Sequence, residues 1–420
     1  MMMRLRHFIA LAALATTLAS APSAQTNGQT TLAISGATNQ TPWVAAQGAQ
    51  VAVVWGAKTD SQGNVFAAVS QDGGRTFAPP VRVNAVAGEA RISGEIAPRV
   101  AIVPAATGAA AEIVVAWNAK DSGTQVKLAR SRDGGRTFSA PVPLQAAGAA
   151  GDRGWQALTL DARGTAHAIW LDHRGMAASK AEPMDHKGEH DGAAMAQRSG
   201  LYYASSAGGT ATERELFKGV CYCCKTAMAT GPDGTLYAAW RHVFTGNFRD
   251  MGFTSSRDGG KTFSPMVRVN QDGWSINGCP DDGPAMAVDA KGVVHLVWPT
   301  VQGGTEGALL YAVSKDGRTF SAPVRVPTLG SPKPSHPQVA IDGGGRVVIA
   351  WDEVRSGVRG AVYSRMTSAA GAPPAFGPIQ QLGAGGPSAY PVFAAGAKGL
   401  VAVWTAGPPD KATIAVKVID

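Results

Sequence analysis

The chain has 420 residues and a formal charge of +8, with 45% hydrophobic, 16% charged and 7% aromatic residues, 52 Gly and 26 Pro. So apolar a chain is not disordered, glycine without a three-residue period is not collagen, and the lack of charged heptads excludes a coiled coil. Its basic residues are scattered singly, with no basic run interleaved with aromatics, so the charge does not point to nucleic acid.

Residues 1–7 are short and basic, 8–19 are apolar, and 20–24 are small. This is the layout of a secretory signal. The apolar run is too short for a permanent span. The expectation is removal of residues 1–24, with cleavage near Ala21 or Ala24, and an exported protein, periplasmic or extracellular. No later segment is long and apolar enough to span a membrane. Residues 25–420 read as one domain.

Four segments then repeat: SQDGGRTF at 70–77, SRDGGRTF at 131–138, SRDGGKTF at 256–263 and SKDGRTF at 314–320. Asp-Gly with a further Gly supplies the positive φ angles of a tight hairpin turn. The Asp carboxylate can accept N–H bonds inside its own turn. A second repeat is an apolar run ending in Trp, at Trp55, Trp117, Trp170, Trp240, Trp298, Trp351 and Trp404. Before each lies another apolar strand, usually opening with Pro. Together they predict an all-β propeller of seven four-stranded blades rather than six. The last unit has only three strands, so residues 30–35 are expected to close the ring as its fourth. The Trp residues are expected in the core.

The four repeated turns resemble the Asp-box motif of sialidases and other BNR-repeat propellers, whose sialidase members usually have six blades. In that family the boxes lie away from the active site. The resemblance therefore implies that Asp72, Asp133, Asp258 and Asp316 hold hairpins, and that chemistry sits before the inner strands and after the Trp residues. It also implies an exo-sialidase-type glycosidase on acidic glycans, with an arginine cluster for the substrate carboxylate, a Tyr nucleophile paired with Glu, and an Asp acid. The matching candidates are Tyr390, Glu353, Asp282 (or Asp172), and Arg153, Arg241 and Arg355, with Arg99, Arg174 and Arg249 also on the rim. The family's first-arginine motif has only a partial match, in Arg91-Ile92-Ser93.

All four cysteines fall on the same rim: Cys221, Cys223 and Cys224 before the fourth inner strand, and Cys279 before the fifth. In an oxidising compartment they predict disulfides, Cys221–Cys279 being the natural bridge, with Cys223 and Cys224 as a vicinal pair or as thiols. A second reading is a thiolate site for copper or zinc. An insertion at about 172–199 adds His186, His190 and several Met. Its composition suits a copper ligand set or a solvated loop. Three functions follow: a glycosidase, a metal or redox module on the cysteine cluster, and a non-catalytic scaffold for a protein or glycan ligand. Enzyme status stays open, and a monomer is expected.

Overall fold

The computed structural model describes residues 24–419 apart from 27, 61, 104–110, 121–122, 147–149, 180–191, 207–212, 304–305, 369–371 and 384. The expected signal, except Ala24, and His186 and His190 lie outside the described residues.

The repeats become seven antiparallel sheets arranged in a ring. The inner strands are Thr38–Gln47, Arg99–Val103, Arg153–Leu160, Ala227–Thr230, Ala285–Val288, Ser335–Ile341 and Ser388–Gly396, for blades 1 to 7. Within each blade the chain runs outward from strand to neighbouring strand. Each second strand is sandwiched between adjacent blades, so it reads as a continuous apolar run. In Gln50–Thr59 every residue from Val51 to Ala57 is buried. The seven repeated Trp residues occupy equivalent places on these strands and are at most 1% exposed. Truncating such a side chain costs on the order of 3–5 kcal/mol.

Ring closure uses chain ends nearly 400 residues apart. Strand Gln29–Leu32 pairs with Thr413–Ile419, placing Thr30 opposite Val416, and Ala24–Thr26 adds an outer fifth strand. The last blade thereby gains its fourth strand from the N-terminal end and the ring is fastened shut. The count is therefore seven, and the N-terminal closure falls where the sequence puts it.

All four repeated turns close in the same way. In blade 2 the Ser131 hydroxyl donates to Asp133 Oδ1 at 2.8 Å and accepts the Gly135 amide at 2.8 Å. Asp133 also accepts the Thr137 amide at 3.0 Å and its hydroxyl at 2.6 Å. Asp72, Asp258 and Asp316 repeat these bonds. Gly134 and Gly135 have φ of 75° and 90°, so a side chain would be strained there. These turns join the third and fourth strands. Antiparallel order puts them at the end of the ring opposite the loops that lead into the inner strands.

Candidate functional site

Where the chain turns into each inner strand, one residue precedes the opening position: Thr41, Ala97, Trp155, Lys225, Gly283, His336 and Tyr390. Four of them, Thr41, Trp155, His336 and Tyr390, have φ between 52° and 56°. At each the pairing with the second strand slips, as between Ser335 and Gln338 and between Ala389 and Val392. These are β-bulges, which re-aim side chains. Non-glycine residues in this conformation cost about 1–3 kcal/mol and gather at functional sites. Two of them, His336 and Tyr390, line a pocket at the mouth, while Trp155 packs against His173.

His336 is the hub. Its Nδ1 donates to Asp352 Oδ2 at 2.7 Å, and its Nε2 lies 3.7 Å from Glu95 Oε1. Its backbone amide donates to Asp282 Oδ2 at 2.9 Å. Its ring packs against that of Tyr390, with centroids 4.1 Å apart. Asp352 also accepts the Tyr390 amide at 2.8 Å and pairs with the Arg359 guanidinium. Glu95 accepts the Lys225 amide at 3.1 Å, while Lys225 Nζ donates to the Pro337 carbonyl at 2.9 Å. Side chains from five blades thus meet at one mouth. A narrow pocket of about 20 Å³ opens among Glu95, Lys225, His336 and Tyr390, beside Arg99, which lies 3.9 Å over the Trp43 ring. The Tyr390 hydroxyl runs so close to Gly94 that a Cβ there would come within 2.3 Å of it.

Burial governs the charges here. It pushes the Glu95 carboxyl up, against the Lys225 and His336 charges that oppose it. Burial alone would lower the His336 pKa, but Asp352, Asp282 and Glu95 outweigh it and raise it. The Tyr390 phenol is pushed up by burial and by the Asp352 and Glu95 charges. Asp352 is held below the usual range by His336 and Arg359, despite its burial. Asp282 Oδ1 is buried without a hydrogen-bond partner among the described residues.

The sequence candidates divide sharply. Tyr390 and Asp282 sit in this cluster. Glu353 does not face Tyr390: its carboxylate accepts the Leu329 and Ser331 amides at 2.9 and 3.1 Å and the Trp351 indole at 2.5 Å. Asp172 likewise receives the Trp170 indole at 3.2 Å and binds Arg153 and Arg174. Arg153 is buried against Asp172 and the Gly151 carbonyl. Arg241 is buried on the Asp282, Arg249 and Pro299 carbonyls. Arg249 is also buried, and Arg355 lines a separate, larger cleft between blades 6 and 7. These arginines do not converge on one anion. Glu95, Lys225, His336 and Asp352 escaped the sequence reading. For His336 and Lys225 a signal exists, because each stands just before the apolar run of an inner strand as Tyr390 does.

The cysteine pairing differs from the expectation. The disulfide is Cys223–Cys279, with Cα atoms 6.2 Å apart, and Cys221 and Cys224 are thiols. The Cys221 amide is tied to the Arg241 carbonyl at 2.9 Å and its sulfur is turned toward Arg249, 3.5 Å away. That leaves Cys223, in the following turn, to meet the blade 5 loop. Cys221 and Cys224 are buried, with sulfurs 3.4 Å apart. Burial raises the Cys221 pKa, yet Cys224, Arg249 and Arg241 overcome it and bring it down to about 7. Burial and the neighbouring Cys221 push Cys224 up. Ala196, from the short helix Gly192–Gln197 of the insertion, packs over this cluster. His173 is buried against the Trp155 ring and lowered to about 4 by burial. With Cys223 bonded to Cys279, Cys221 and Cys224 are the free thiols among the described residues, and the expected His186 and His190 lie outside them.

The ring defines a seven-bladed β-propeller. No protein-family model and no curated protein matches the chain. Among solved structures it is similar to the polysaccharide lyase PL25, described as an ulvan lyase bound to -[GlcA(1-4)Rha3S]- (TM-score 0.54, 10% identity, 90% of this chain and 96% of that one). It is similar too to the Hadza microbial sialidase Hz136 (TM-score 0.50, 15% identity, 86% of this chain and 74% of that one). At such identities the likeness is one of fold. Among the described residues no helix is long and apolar enough to cross a membrane.

Proposed function

We propose that this is an exported glycosidase acting on an acidic sugar at the axial mouth, with Tyr390 as the nucleophile. The observation that carries the reading is the convergence of Tyr390, His336, Glu95 and Lys225 on one pocket, the first two through strained bulges, with Asp282 behind His336 on its backbone amide. Tyr390 needs a base, because its environment holds the phenol protonated. Glu95 adjoins Gly94, which lies against the phenol oxygen, and its raised pKa makes it the stronger base. With its proton passed to Glu95, the phenolate attacks the anomeric carbon, the bond to the leaving oxygen breaks, and water then cleaves the glycosyl–Tyr390 bond, restoring the phenol. Asp282, with one oxygen unpartnered, is the group able to protonate the leaving oxygen. Asp352 and His336 fix Tyr390 through its backbone and ring. Arg359, about one-third exposed, and Lys225 supply positive charge for a substrate carboxylate. The disulfide and the sequence of residues 1–24 support export.

The test is release of a fluorogenic leaving group from aryl glycosides of sialic acid and of uronic acids. Wild-type turnover lost in both Tyr390→Phe and Glu95→Gln, and kept in Glu353→Ala, supports the assignment. Full activity of Tyr390→Phe, or no turnover of any acidic glycoside, overturns it.

A further inference from the structure

The four sulfur atoms form one connected set that the proposed glycosidase chemistry does not use. Cys221 Sγ lies 3.4 Å from Cys224 Sγ and 3.9 Å from Cys223 Sγ, and Cys223 is bonded to Cys279. The first three are buried, whereas Cys279 is exposed. The Arg249 guanidinium faces Cys221 at 3.5 Å, where it favours a thiolate. Cys221 and Cys224 stand in the C-x-x-C spacing of a dithiol that can close on itself.

We propose that Cys221 and Cys224 are a redox-active dithiol that exchanges with the Cys223–Cys279 disulfide and so unfastens the blade 5 loop from the axial mouth. In the first step the Cys221 thiolate attacks Cys223 Sγ. The Cys221–Cys223 bond forms, the Cys223–Cys279 bond breaks, and Cys279 leaves as a thiolate into solvent. In the second step Cys224, having given up its proton, attacks Cys221 Sγ. A Cys221–Cys224 disulfide forms and Cys223 leaves, taking up a proton. Two electrons pass from one cysteine pair to the other, so no outside oxidant is required.

The bond that breaks is a staple between two site-bearing segments. Lys225 follows Cys224 directly, and Asp282 follows Cys279 by three residues. The segments run so close that a Cβ on Gly283 would come within 2.0 Å of the Lys225 carbonyl oxygen. The Asp282 amide faces the Cys224 sulfur, and Arg241 holds the Asp282 carbonyl at 3.1 Å. Lys225 positions Glu95, and Asp282 positions His336. Opening the staple frees the loop that carries Asp282. The exchange itself stands whether or not the mouth cleaves a sugar.

The experiment uses the protein purified without reductant or chelator, incubated with N-ethylmaleimide at mildly alkaline pH. It is then denatured and mapped by peptide mass spectrometry. The expected result is progressive labelling of exposed Cys279, with the peptide holding Cys221, Cys223 and Cys224 gaining an internal disulfide. Cys221→Ser should label Cys279 at least about tenfold more slowly. Should that variant not fold, Cys224→Ser serves: Cys279 is labelled while Cys221 becomes linked to Cys223. The proposal is overturned if wild-type Cys279 stays unlabelled, or if Cys221→Ser labels at the wild-type rate. Bound copper or zinc on four thiols, shown by elemental analysis, overturns it as well.

Discussion

The two ends of the ring use carboxylates to opposite effect. At the turn end, Asp72, Asp133, Asp258 and Asp316 are each saturated by their own hairpin, and hydrogen bonds hold them ionised below the usual range. At the mouth, Glu95, Asp282 and Asp352 come from different blades, are buried, and share one histidine, Glu95 and Asp352 at its ring and Asp282 at its backbone amide. A carboxylate that satisfies itself locally is a fastener. One that depends on distant partners in a dry site is costly to keep, and such sites are where reactivity gathers. The comparison can be broken by finding activity that survives at the mouth, or large losses at the turns.

The largest effect is expected from Tyr390→Phe. Removing a nucleophile's oxygen should cost on the order of 10³-fold in kcat on acidic aryl glycosides, with the melting temperature little changed. A stable variant that keeps wild-type turnover would make Tyr390 a packing residue.

His336→Leu should act on stability. It leaves buried Asp352 with Arg359 as its remaining charged partner, a loss of about 3–5 kcal/mol in urea unfolding. The sign of its pH dependence is definite. The folded His336 pKa lies above the ordinary 6.5, so the stability it contributes is fully present below that value. It is withdrawn as pH rises through the raised folded value. The gap between wild type and His336→Leu should therefore narrow toward alkaline pH; a constant gap would show that His336 is neutral in the folded protein.

These residues also mark what a sequence can and cannot reveal. The blade count was legible because turns and Trp residues are local patterns repeated in phase. Tyr390 was legible by its place just before the apolar run of an inner strand, and His336 and Lys225 shared that place, His336 also preceding a proline. Glu95, Asp352 and Arg359 were not, because they come from a loop, a second strand and a third strand, and only the bulges bring them together. Glu353 was misleading for a related reason. It stands two residues after its Trp, as Asp172 does, and in both blades that position accepts the indole N–H. The cysteine pairing was hidden because aligned positions share backbone register, whereas a disulfide needs facing side chains.

Glu353→Ala should expose that difference. It strips the acceptor from two backbone amides and a buried indole, for a loss of about 1–3 kcal/mol, with turnover retained. Lost turnover with unchanged unfolding would instead return Glu353 to the chemistry.

The smallest effect belongs to the turn end. Burial raises the Asp72 carboxyl, but bonds from Thr76, Ser70 and Arg75 outweigh it and bring it from 3.8 to about 2. A depressed folded pKa gives stability that is present above the unfolded value and lost as pH falls through the folded one. Asp72→Asn should thus unfold more easily than wild type at neutral pH, by about 1 kcal/mol after allowance for solvent screening. That difference should shrink between pH 4 and pH 2. Urea titrations across that range check it. Because the turn shares no charged partner with the mouth, turnover should not change. A variant that lost turnover would show that the two ends of the ring are coupled, and that the fasteners also hold the site.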